Sequence, residues 1–166
     1  MFGVLVLAML LAEQAVDPHV RTIDPRLQAL ITTATDRSLT FRSLMARLND
    51  SDVIVYLEAR DTRDGLRGVL LHRVMLQGAY RYLRLIINPH DSDERLMAVI
   101  AHELQHALEI AKEREVGRSE AVQDLFARIG FRFGCSGCYE TIDAIDVERT
   151  VREELNVSRP TGTDKN

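Results

Sequence analysis

The sequence has no excess of basic charge, no glycine-rich phosphate loop, no internal repeat and only two cysteines. Each absence removes a class of function. A formal net charge of −4 gives no general positive field to hold nucleic acid. Neither a Walker nor a Rossmann glycine pattern occurs, which removes the nucleotide sites most readable from sequence. Cys135 and Cys138 sit together in GCSGC, with no second pair to complete a zinc knuckle. A thioredoxin-like reading would want the pair next to a strand in a parallel unit, and that context is not read around these cysteines. In an exported chain, these two cysteines are expected to form a short-loop disulfide.

Charge is scarce at the N-terminus too. Residues 2–12 of MFGVLVLAMLLAEQA are uncharged and apolar, and no Lys or Arg precedes Arg21. The run is short for a membrane span and suits the apolar core of an export signal. It departs from that pattern in lacking a basic lead and in its cleavage site, where Glu13 stands two residues before Ala15 and Leu10 two before Ala12. The alternative is a buried or surface-anchoring helix. We expect residues 1–15 to be the signal or apolar helix, 16–157 one domain, and 158–166 a disordered tail. The remaining length and a 46% hydrophobic content suffice for one real core.

Residues 25–36 read as a helix with Pro25 in its first turn and Asp24 as cap. A second helix is expected over 38–48. Three strands follow, over 52–59, 66–76 and 80–87, rich in β-formers and separated by turns. Short connections predict an antiparallel meander. Arg81 interrupts one face of the last strand, leaving Leu83, Leu85 and Ile87 to pack inward. Further helices are expected from Ser92, capped with Asp93 and Glu94 in the first turn, over 119–129 with Gly130 as terminator, and over 140–155.

The helix after Ser92 carries AVIAHELQHALEIA. His102 and His106 are four residues apart, so they lie on one helical face and can share a metal ion. Met97, Ile100, Ala101, Leu104, Leu108 and Ala111 form an apolar stripe roughly opposite. We therefore expect a helix half buried on the sheet, with its histidines facing a cleft beside Arg95, Glu109 and Glu113. Glu103 lies beside the pair. This is the H-E-x-x-H pattern of zinc peptidases. Neutral imidazoles hold Zn2+ without cancelling its charge, zinc lowers the pKa of water to about 7, and Glu103 can move the proton. A chance match on an exposed helix is on the order of 1% per chain.

A catalytic zinc needs a third protein ligand and an open position. The metzincin pattern fails, because positions 109 and 112 are Glu and Lys. Glu109 lies about 10 Å along the helix from His102, so it is expected to orient His106 or to pair with Lys112. Glu120 is expected to face water. Glu140 heads the buried stripe of Ala144, Val147, Val151 and Leu155, and an inward carboxylate needs a cation. Glu140 is the leading third ligand; Glu120, Asp143 and Asp146 are the alternatives. Tyr139 and His90 are candidate oxyanion donors, with a packed tyrosine and a loop histidine as their ordinary readings. His72 reads as a strand-face residue.

His102-Glu103-x-x-His106 with a glutamate on a later helix resembles the gluzincin clan of zinc peptidases, and the compact size resembles its minimal members, the minigluzincins. AHELQHALE with RIGF and CYET is also similar to a group of exported bacterial proteins. The motif match covers residues 102–106 and Glu140, and a looser likeness runs over 20–155. The resemblance implies an α+β, zincin-like fold: a small antiparallel three-stranded sheet packed with a central motif helix and further helices. It implies one zinc per chain, a peptide or protein substrate, and an edge strand that pairs with it, for which residues 80–87 are the candidate. ETIDA departs from the N-E-x-x-S-D form of thermolysin-like enzymes.

The sequence thus points to an exported zinc metallopeptidase, periplasmic or extracellular, with no nucleic-acid partner and no stable span beyond the N-terminal segment. The alternative is a zincin-fold protein that binds a peptide or protein without cleaving it. A di-iron bundle would need a second Glu-x-x-His, which is absent.

Overall fold

The computed structural model describes residues 17–62, 65–117, 119–134 and 138–157. The N-terminal apolar segment and the C-terminal tail discussed above lie outside the described residues, as does Cys135. The elements run β1 (Val20–Thr22), α1 (Pro25–Arg37), α2 (Leu39–Asn49), β2 (Val53–Ala59), β3 (Gly68–Gln77), β4 (Tyr80–Ile87), α3 (Asp93–Lys112), α4 (Ser119–Ile129), β5 (Phe131–Arg132), β6 (Tyr139–Glu140) and α5 (Ile142–Val157). The result is a mixed α+β architecture.

Local signals account for the helix starts. The Asp24 carboxylate accepts from the Leu27 amide at 3.0 Å, and the Ser38 hydroxyl accepts from the Phe41 amide at 2.9 Å. Each satisfies an amide that the first helical turn leaves without a partner. Ser92 holds the cap position of α3 without a side-chain bond to it. The α5 cap is Thr141, whose hydroxyl accepts from the Ala144 amide at 3.2 Å.

The expected antiparallel meander is not what forms. The main sheet has four strands in the order β1-β2-β4-β3. β1 and β2 are parallel, as are β2 and β4, and only β3 runs antiparallel, at the edge. Burial explains the order. Leu83, Leu85, Ile86 and Ile87 of β4 are all buried and need a strand on either side. β3 carries Arg73 and Gln77, is exposed toward its end, and tolerates an edge. β1 is three residues long, too short to show alternation in sequence.

α3 packs on the sheet, and α1, α2 and α5 contact α3. The sequence predicts a half-buried helix, but every residue from Leu96 to Ile110 is buried, the histidine face included. That face is covered because α5 packs along it.

Arg81 fixes the far end of α3. Its guanidinium is buried and donates to the carbonyls of Ile110, Ala111, Glu113 and Val116 at 2.7 to 3.2 Å. It also grips the Asp52 carboxylate with two bonds of 2.9 and 2.7 Å. The residue that breaks the apolar pattern of β4 therefore caps the motif helix, where positive charge is favoured. We expect Arg81→Ala to lower unfolding stability by about 3 kcal/mol in urea, because it strands Asp52 and several carbonyls. Arg81→Lys should recover only part, since an ammonium lacks the planar fork.

Candidate metal centre

The helical repeat sets His102 and His106 one turn apart on α3, with ring centroids separated by 5.0 Å. Their Nε2 atoms converge on one oxygen, Glu140 Oε1, at 3.0 and 3.1 Å. His102, His106 and Glu140 each offer a ligand atom, all within 4.8 Å of one another. Two imidazoles and a carboxylate suit Zn2+, whose ligand bonds are about 2.0–2.2 Å.

Glu140 arrives by a route the sequence did not indicate. It does not head α5, which begins at Ile142. It stands on β6, which pairs with β5 in a two-stranded ribbon, Glu140 opposite Phe131. Gly130 permits this approach: a Cβ there would lie 2.5 Å from the Glu140 carbonyl oxygen. The ribbon can therefore press against the end of α4, which brings the carboxylate to the histidines.

Each imidazole is held from behind. Glu109 Oε2 lies 2.9 Å from His106 Nδ1, the expected orienting role, and its other oxygen accepts from the Thr141 hydroxyl at 2.8 Å. Glu148 Oε2 lies 3.2 Å from His102 Nδ1. That nitrogen meets no hydrogen-bond geometry, so the Glu148 contact is an ionic one, close but off-axis. Such carboxylate–imidazole pairs leave Nε2 free to face a metal.

Glu103 is buried, and its Oε2 accepts from the Leu70 amide of β3 at 2.9 Å. The strand comes this close because position 68 has no side chain. A Cβ on Gly68 would sit 2.7 Å from Val99 Cγ1 and 3.1 Å from Glu103 Oε1.

The electrostatics favour positive charge at this cluster. Burial disfavours charge on His102, but the Glu140 and Glu148 carboxylates outweigh it and push its pKa up to about 10. Burial likewise opposes charge on His106, and Glu109 and Glu140 push it up to about 9. Burial would raise Glu140, but the two histidines hold it at about 2. Glu103 is pushed up by burial, against the pull of both histidines. Among the described residues lining the cleft there is no Lys or Arg.

The cleft over this cluster has a volume of about 550 Å3 and is walled by β3 from Gly68 to His72, by Phe126, and by Phe133 and Tyr139. The strand lining it is thus β3, not the expected 80–87, because β3 holds the sheet edge. No family model, curated protein or solved structure matches this chain.

The expected site residues divide clearly. His102, Glu103, His106 and Glu140 come together, and Tyr139 lines the same cleft. His90 does not: it is exposed in the loop before α3 and pairs with Asp61 at 2.8 Å. Glu120 and Asp143 are exposed, and Asp146 pairs with Arg149 at 2.7 Å. Glu148 and Thr141 were not anticipated. Position 148 lies four residues after the buried Ala144 and three before the buried Val151, so helical spacing was the available signal. His72 also lines the cleft, where the sequence suggested only a strand face.

The pKa shifts fix a sign. In the chelated protein the histidines stabilise the fold fully below their unfolded value of 6.5 and lose that contribution as pH rises through 9 to 10. Glu140 contributes fully above 4.5 and loses it toward 2. The thermal midpoint of the chelated protein should therefore fall as pH is raised from 6.5 to 10. At pH 7 metal uptake should release about two protons, read by calorimetry in buffers of different ionisation enthalpy. Glu148→Gln should weaken zinc binding by about 10-fold or more while the fold is retained.

Proposed function

We propose that this chain is a zinc-dependent metallopeptidase with a zincin-like, gluzincin-type site. The observation that carries the reading is the convergence of His102 Nε2, His106 Nε2 and one Glu140 oxygen beside a buried Glu103, at the floor of a cleft. His102, His106 and Glu140 would hold the zinc, with Glu148 and Glu109 fixing the two imidazoles. When bound, zinc supplies Lewis acidity, which makes water a nucleophile near neutral pH and polarises a carbonyl.

The chain's own groups supply the rest. Glu103 accepts the proton of the attacking water on a carboxylate oxygen as the water oxygen bonds to the peptide carbon. As the C–N bond breaks, Glu103 returns that proton to the leaving nitrogen. Burial favours a carboxyl able to carry a proton between the two steps. Contact with the Leu70 amide holds one oxygen and fixes the rotamer. Tyr139 is the donor we assign to the developing oxyanion; of the two candidates it alone lines the cleft.

The edge position of β3, antiparallel to its neighbour, supports an extended peptide as substrate. Cys138 is disulfide-bonded, which supports the export reading. Among the described residues no helix is long and apolar enough to cross a membrane.

Zinc per chain, measured by elemental analysis after dialysis against trace metal, should be near one. It should be lost in His102→Ala and Glu140→Ala and kept in Glu120→Ala. Glu103→Gln should keep zinc and lose at least 100-fold in peptide hydrolysis. If that variant cleaves like the parent, Glu103 is not the base. If the parent keeps zinc, binds peptide and cleaves nothing, the chain is a binding protein on this scaffold.

A further inference from the structure

His72 is the polar group of the cleft that the mechanism above leaves unused. It lines the cavity with His102, Glu103 and His106. Its ring stacks on Phe126 with centroids 5.5 Å apart and planes 25° from parallel, and Phe126 in turn meets His106 edge-on at 5.1 Å. Three rings thus run from β3 to the metal cluster and hold the imidazole in place. Among the described residues no hydrogen bond or ion pair engages it. The His72 ring nitrogens are not among the buried unpartnered atoms, so they open to the cleft and are available to a ligand there.

The strand geometry says what is missing there. The Asn88 amide donates to the Arg67 carbonyl, which makes Gly68 and Leu70 the residues whose backbone polar groups face away from β4. The Leu70 amide, facing that way, is taken by Glu103. Beyond it, β3 slips register against β4 between Leu71 and Met75. Such irregularities interrupt the regular row of edge donors and re-aim side chains. His72 lies inside this break. A peptide lying along β3 would lose its backbone partner there and find an imidazole instead.

We propose that His72 is a substrate-contacting residue whose imidazole N–H donates a hydrogen bond to a carbonyl oxygen of a peptide bound along β3. This rests on the peptidase reading and extends it. Burial, with His106 adding to the effect, holds the His72 pKa below the ordinary histidine value, so the ring is a neutral donor at pH 7. A neutral donor on an aromatic wall suits a main-chain carbonyl and carries no charge that would select an acidic side chain.

The test uses the zinc-loaded full chain and N-phosphoryl-Leu-Phe amide, which presents a tetrahedral phosphoryl centre and a peptide backbone. His72→Phe keeps a ring against Phe126 and removes the N–H. It should keep zinc and thermal midpoint while weakening the probe by about 5- to 10-fold, the effect of one neutral hydrogen bond. His72→Gln, which keeps a donor, should recover part of the loss. In the parent, the His72 imidazole nitrogen resonances should move when the probe is added. Equal affinity in His72→Phe, or still resonances, overturns the role of His72 and leaves the peptidase reading standing. Loss of zinc in both variants also overturns it, because His72 would then act on the metal cluster. If the zinc-loaded parent does not bind the probe, the peptidase reading fails and the role of His72 fails with it.

Discussion

Four carboxylates, those of Glu103, Glu109, Glu140 and Glu148, surround two imidazoles at the centre of this protein. Buried negative charge is expensive, and among the described residues lining the cleft there is no lysine or arginine to relieve it. The histidines must therefore carry protons or share a cation. Everything near the cluster is arranged around that demand. The face of α3 that would ordinarily meet water is roofed by α5, and the ribbon of β5 and β6 brings in the carboxylate that completes the group.

Two backbone approaches and one guanidinium set the geometry. Gly68 lets the sheet edge come against Glu103, and Gly130 lets β6 come against the end of α4. A methyl group at either position would collide with its neighbours and force the cluster apart. At the other end of α3, Arg81 ties the helix to β4 and to Asp52. The motif helix is thereby held in register with the sheet over its whole length. Glu103 meets the strand edge at a fixed point, the Leu70 amide. Precise placement of this kind is what the proton transfer we propose for Glu103 would require.

The cleft combines this charged floor with apolar walls. Phe126 serves both: it packs edge-on against His106 and offers its face to His72. In the proposed reading the edge strand joins binding to chemistry, since the strand that would align a peptide also holds Glu103. The irregularity in β3 comes where the strand leaves the cluster, and His72 lies within it.

Local physics made part of this legible in the sequence. Spacing of four on a helix puts His102 above His106 whatever the fold around them, and caps such as Asp24 and Ser38 act within three residues. The positions of α1 to α5 and of β2, β3 and β4 follow for the same reason. Glu140 was found by a helical argument, although it stands on a strand; its inward placement was right and its element was not. Strand order, the roof over α3, the pairing of Glu148 with His102 and the turn of His72 into the cleft were not legible. Each joins residues far apart in sequence, and periodicity carries no information about which buried face meets which. The sequence by itself determined a helix bearing two histidines and a glutamate. Only the tertiary structure decided which strand lies at the edge and which distant carboxylates close on those histidines, because those contacts are fixed by packing between elements and not within them.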